Sequence, residues 1–175
     1  MLQGMKQLVP SKVCLSCEGC CRFSEAKSEW RPRIMEEEKV GVAKPELVEK
    51  IFLKGSVDEK KMISTIPFGE RHICRFLTPQ SNACGIYHGR PFECQLYPFL
   101  LMRKEPGVAV AVHLSCPYVQ DAFGSSVMDE YIEYLKEFFQ QKEVLSFVRR
   151  NKELVVDYSN CLGEIEELFS LPPVD

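Results

Sequence analysis

Nine cysteines stand in this 175-residue chain, and their spacing suits metal chemistry. Cys14, Cys17, Cys20 and Cys21 form C-x-x-C-x-x-C-C. Cys74, Cys84 and Cys94 follow with nine residues between neighbours, Cys116 precedes Pro117, and Cys161 stands apart. Thiols three residues apart on a tight turn can aim at one centre. Three of them with a distant Cys-Pro match the ligand arrangement of ferredoxin-type iron–sulfur sites. One division assigns Cys14, Cys17, Cys20 and Cys116 to one site and Cys21, Cys74, Cys84 and Cys94 to a second. The pair Cys20-Cys21 can serve one centre or two, because neighbouring extended side chains diverge. Four thiolates also suit zinc. The spacing leaves open one centre or two, and iron–sulfur or zinc.

Two other uses of thiols are weaker. Disulfides need an oxidising compartment, and the region from Met1 to Cys14 has no apolar stretch or small-residue cleavage site of a secretory leader. A thiol-exchange role for Cys14-x-x-Cys17 lacks the βαβ context such motifs occupy. Reduced, metal-ligating cysteines in a cytoplasmic protein are the expectation. Cys161, on an expected helix between Asn160 and Leu162, is expected to be a small packing residue outside the site. Lys12, Arg22, Arg71, Arg75 and Arg90 lie near the cysteines and could offset thiolate charge, although a solvated surface position is expected for any single one.

Other chemistry is thin. His72, Tyr87, His88, Arg90 and Glu93 lie near the cysteines without forming an acid–base constellation. Glu36, Glu37 and Glu38 read as a solvated helix face. No phosphate loop, dinucleotide fingerprint or nucleophile elbow is present, and the C-x-x-x-C-x-x-C pattern of radical adenosylmethionine enzymes is missing. The catalytic residues, if any, are unknown. The net charge of −3, with no basic stripe, argues against a nucleic-acid partner. No apolar run is long enough for a membrane span. A protein partner is conceivable but has no signature.

The elements that must position the cysteines read as α+β: a small, metal-stapled, loop-rich region with a β-hairpin and short helices, then C-terminal helices packed on it. Residues 33–39 and 45–53 read as short helices joined at Gly41, with Pro45 in a first turn and Val48, Ile51 and Phe52 as the apolar stripe. Residues 54–61 read as a polar loop. Residues 97–103 and 108–114 read as a hairpin around a type II turn at Pro106-Gly107, with Val108, Val110, Val112 and Leu114 on one face. Cys94 would sit at its entrance and Cys116 at its exit. His113, on the opposite face, is expected to be a satisfied structural histidine. Ser126 with Asp129 reads as a helix cap. Met128, Tyr131, Ile132, Leu135, Phe138 and Phe139 follow at helical spacing, with a break near Lys142 before the pattern runs on to Arg150. A last helix is expected over 160–169.

The combined motifs carry a resemblance. Cys14-x-x-Cys17-x-x-Cys20-Cys21-Arg22, Cys74-Arg75-Phe76-Leu77, the stretch from Cys84-Gly85-Ile86-Tyr87 through Arg90-Pro91-Phe92-Glu93-Cys94, and Cys116-Pro117 resemble the YkgJ-type cysteine-cluster proteins. Their CxxCxxCC domain is described as zinc- or iron-chelating. The resemblance covers about residues 13–118, with 125–170 as a helical cover in a single domain over 1–175. It implies metal ligation by the eight cysteines other than Cys161, with a 4Fe-4S cluster preferred and zinc as the alternative. A related region occurs in flagellin lysine N-methylase, which implies a component of a protein-modifying enzyme as one alternative; a metal carrier or redox relay is another. Family members often carry an acidic residue where this chain has His88, which implies that His88 is no ligand. The segment between Cys21 and Cys74, with Trp30-Arg31-Pro32, diverges from the family.

Overall fold

A computed structural model describes residues 5–41, 55–161 and 163–172. The fold is α+β, as expected. The chain forms two compact units, Val9–Gln95 and Leu2–Leu8 with Leu96–Asp175.

The first unit is built from short pieces. α1 (Ser11–Ser16) leads into β1 (Arg22–Phe23), which pairs antiparallel with β3 (Arg71–Cys74); β3 also pairs with β2 (Thr65–Phe68). A second ladder joins β4 (Leu77–Thr78) to β5 (Ala83–Cys84), and α2 (Phe92–Leu96) carries Cys94. Two-residue strands offer few ladder bonds, so side-chain burial must supply much of the cohesion. Phe23, Ile34, Ile63, Ile73, Phe76 and Ile86 form the core, with Trp30 and Val57 packed against it.

Polar residues also hold this unit. Arg31, in the stretch that diverges from the family, is buried. It donates from Nε to Ser28 O at 3.0 Å and from its guanidinium to Asp58 at 2.8 Å. Burial works against ionisation of Asp58, but the N–H of Met62 and the Arg31 guanidinium outweigh it and hold the carboxyl below its usual range. Residues 55–61 form a polar turn region, as the composition suggests. The helix expected over 33–39 is instead a 3-10 helix, Glu36–Gly41, while Arg33 bridges to Met62. The helix expected over 45–53 lies outside the described residues.

The second unit centres on the hairpin of β6 (Phe99–Arg103) and β7 (Val108–His113), with Phe99 opposite Val112 and Arg103 opposite Val108. Gly107 has φ +125 where a type II turn has about +80, and Lys104 N donates to Gly107 O at 3.1 Å, so the loop departs from the expected type II turn. Ala109 and Ala111 are as buried as Val110 and Val112, so β7 is covered on both faces rather than one. Its neighbours are β6 and β9 (Ile165–Ser170), and β8 (Val155–Val156) runs parallel beyond β6.

The helix expected over 160–169 is therefore wrong. Gly163, at φ +96, turns the chain after a 3-10 turn at Ser159–Cys161. β9 then supplies partners for the buried N–H and C=O groups along the second edge of β7. Pairing with a distant segment overrides local periodicity. α3 (Pro117–Ala122), α4 (Ser126–Gln140) and α5 (Lys142–Arg150) complete the unit, and the break at Gln141 falls where the pattern predicts it. The cap of α4 is Ser125, not Ser126: its Oγ accepts from Met128 N at 3.4 Å. Tyr131 of α4 stacks on Phe99 at 5.2 Å. Among the described residues, His113 is satisfied only on one side: Tyr97 Oη lies 3.1 Å from Nδ1, while the buried Nε2 has the Glu164 carboxylate 3.7 Å away, beyond hydrogen-bond reach. Among the described residues, no helix is long and apolar enough to cross a membrane.

Candidate metal centre

Seven of the nine cysteines belong to the first unit, and all nine are free thiols. Cys14 lies in α1, and Cys17 closes that helix, its N–H donating to Cys14 O at 3.3 Å. The turn then brings Gly19 N within 3.2 Å of Cys17 Sγ, a backbone N–H···S hydrogen bond of the kind that stabilises a thiolate. A Cβ on Gly19 would also stand 3.2 Å from that sulfur, so the glycine lets the backbone approach.

The sheet positions the next pair. Arg22 lies opposite Ile73, and Cys74 N donates to Cys21 O at 2.9 Å, which extends the register by one pair. Cys21 and Cys74, fifty-three positions apart in sequence, are thus cross-strand neighbours on one sheet face. Cys84 lies opposite Leu77 in the second ladder.

Electrostatics ties these thiols together. Cys20 is pushed well above its ordinary value, first because it donates to Cys21, then by burial and by the charge of Cys21, Cys94 and Cys14. Cys21 is held lower, first by accepting from Cys20, then by Arg22 and Arg90, against the opposing effect of burial. Burial, with Cys21 and Cys84 nearby, pushes Cys74 up to about 12. Cys94 is pushed well above its ordinary value by burial and by Cys21, Cys74 and Cys84, with Arg90 opposing. Six thiols from both sequence blocks therefore act on one another inside one unit.

The donor chemistry fits a soft cation or cluster. Deprotonating these neighbours without a positive charge among them is costly, and ligation reverses that cost. Among the described residues, no group of three or more Cys, His, Asp or Glu side chains is arranged to hold a metal ion as it stands. The Cys20–Cys21 hydrogen bond places a proton between two sulfurs, and ligation at Cys20 would replace it. Cys116 and Cys161 belong to the second unit: Cys116 precedes α3, and Cys161 closes the 3-10 turn before β9.

Three readings of charged residues need correction. Arg22 is not a solvated surface cation: its side chain is 7% exposed and donates to Asn82 Oδ1 at 2.6 Å. Arg90 lies over the Tyr87 ring. Glu38 is no part of a solvated face. Its carboxylate accepts from Met35 N at 2.7 Å and Phe92 N at 2.5 Å, and burial raises it to about 7. Glu93 accepts from Arg33 N at 2.5 Å and from the Arg33 guanidinium at 3.3 Å, and burial raises it to about 7 as well. These carboxylates clamp residues 33–38 to the start of α2. Nothing in a run of three glutamates distinguishes the third, so only the fold reveals this role. His88 is exposed, and His72 has a buried Nδ1 with no hydrogen-bond partner among the described residues.

A family model described as "Putative zinc- or iron-chelating domain", CxxCxxCC, matches residues 13–121. No curated protein and no solved structure matches the chain.

Proposed function

Because the chain belongs to the CxxCxxCC family, we propose that it holds an iron–sulfur centre, of the 4Fe-4S type, through cysteine thiolates in a structural or redox role, with zinc as the alternative occupant. The observation that carries the reading is the gathering of seven free cysteines from both blocks in the first unit, with Cys21 and Cys74 joined across the sheet by a 2.9 Å backbone hydrogen bond. Cys14, Cys17, Cys20, Cys21, Cys74, Cys84 and Cys94 are the proposed ligands in the first unit. Cys116 joins them on the Cys116-Pro117 motif alone. Soft sulfur donors suit either metal, and the N–H···S bond at Cys17 is a feature that tunes cluster potential.

One observation favours a second reading. Cys20 is exposed, and its partner Cys21 is the thiol held toward the thiolate. A thiol held toward the thiolate next to an exposed cysteine suits exchange of metal or electrons with a partner protein.

The test is metal and sulfide analysis of anaerobically purified protein. Stoichiometric iron and sulfide with a broad visible band support the cluster. Colourless protein with stoichiometric zinc selects the alternative. Absence of both after reconstitution, with the cysteines oxidised in pairs, overturns the proposal.

A further inference from the structure

We propose that Arg90 is a positioning residue of the thiol site: a guanidinium seated on Tyr87, tied to both cysteine blocks, that supplies a fixed positive charge to the anionic centre. The inference deepens the metal-binding reading and rests on it.

The seat is geometric. Arg90 Cζ stands 3.9 Å from the centroid of the Tyr87 ring, a close cation–π contact. Its Nε donates to Tyr87 O at 3.1 Å, so ring and backbone restrain the same guanidinium. Tyr87 Oη lies 2.6 Å from Oγ of Ser11, the first residue of the helix that carries Cys14. Gln95 Nε2 donates to Arg90 O at 2.7 Å, which ties the residue to α2, the helix of Cys94. Arg90 is therefore tethered to the N-terminal and the C-terminal cysteine blocks together.

The chemistry needs such a cation. A centre of four thiolates around a core of charge about +2 keeps a net charge of about −2 in a partly dry setting. Arginine stays charged at every working pH, and its planar group can stack on a ring while presenting N–H donors at its edge. Arg22 is another arginine next to a cysteine and its side chain is buried, but its guanidinium is bonded to Asn82 and lies 3.9 Å from Glu18, which takes up part of its charge.

The experiment uses the full chain reconstituted anaerobically, separately with ferrous iron plus sulfide and with Zn2+. Affinity is read by chelator competition on whichever centre the wild type retains. Arg90→Met keeps an apolar chain against Tyr87 without the charge; Arg90→Lys restores the charge without the planar group. Circular dichroism and thermal midpoints of the metal-free proteins check the fold. The expected result is a 10–100-fold loss of affinity in Arg90→Met, the usual cost of removing a partner that supports ligands, with a smaller loss in Arg90→Lys and unchanged metal-free midpoints. Arg90→Met within about threefold of wild type, Arg90→Lys no better than Arg90→Met, or a loss matched by a fallen metal-free midpoint overturns the proposal. Failure of the wild type to retain either centre sinks the metal-binding reading instead, and the two failures are distinct.

Discussion

Glu38 accepts the N–H of Phe92, the first residue of the helix that carries Cys94, at 2.5 Å. A carboxylate from the segment between Cys21 and Cys74 thus caps a helix of the second cysteine block, where negative charge meets unsatisfied N–H groups. Burial raises Glu38 from its ordinary 4.5 to about 7. Because the folded value is the higher, the native state holds the proton more tightly. The associated stability is fully present below the unfolded value and is lost as pH rises through about 7. Relative to Glu38→Gln, which does not titrate, the metal-free wild type should lose up to about 3 kcal/mol between about pH 5 and about pH 8. Urea unfolding of both proteins across this range measures it; a pH-independent difference would sink the idea.

Gly19 makes room for the sulfur of Cys17. Gly19→Ala places a methyl 3.2 Å from that sulfur, tight enough to push it by a few tenths of an ångström. The metal-free protein should keep its stability within about 0.5 kcal/mol, as for a surface change. Metal affinity by chelator competition should fall about tenfold or more, because ligand orientation is disturbed. Unchanged affinity would show that the close approach imposes no constraint on the ligand.

Arg31 and Asp58 form the ion pair that organises the divergent segment. Asp58→Asn keeps the Oδ1 acceptor used by Lys60 N and Met62 N but removes the charge opposite Arg31. Arg31 is buried, while Asp58 keeps 30% of its side chain exposed, so water moderates the loss. A destabilisation of about 1–3 kcal/mol is expected at neutral pH, from denaturant midpoints. The difference should shrink as pH falls and Asp58 takes up a proton, since its folded value is held below the ordinary 3.8.

Cys94→Ser should lower the metal content of anaerobically purified protein and its thermal midpoint together, because metal-binding energy is also folding energy. Cys161→Ser should leave metal content unchanged, since Cys161 closes a turn in the second unit. Metal analysis of the two variants side by side decides it. Equal losses would remove the distinction between ligand and packing cysteines.

What the sequence alone determined is local. The C-x-x-C-x-x-C-C spacing marks out the first thiols because a single turn places them. The hairpin around Pro106-Gly107 and the interruption between α4 and α5 follow from short-range periodicity. The tertiary structure decided everything that joins distant segments. It set Cys21 opposite Cys74, made a strand of Ile165–Ser170 because the edge of β7 needed backbone partners, and turned Glu38 from a solvated carboxylate into a helix cap. It also gave the buried Arg31 a carboxylate partner where the family pattern offered none. Residue type and spacing specify which groups could act, but backbone hydrogen bonds and burial between segments far apart in the chain specify which ones meet.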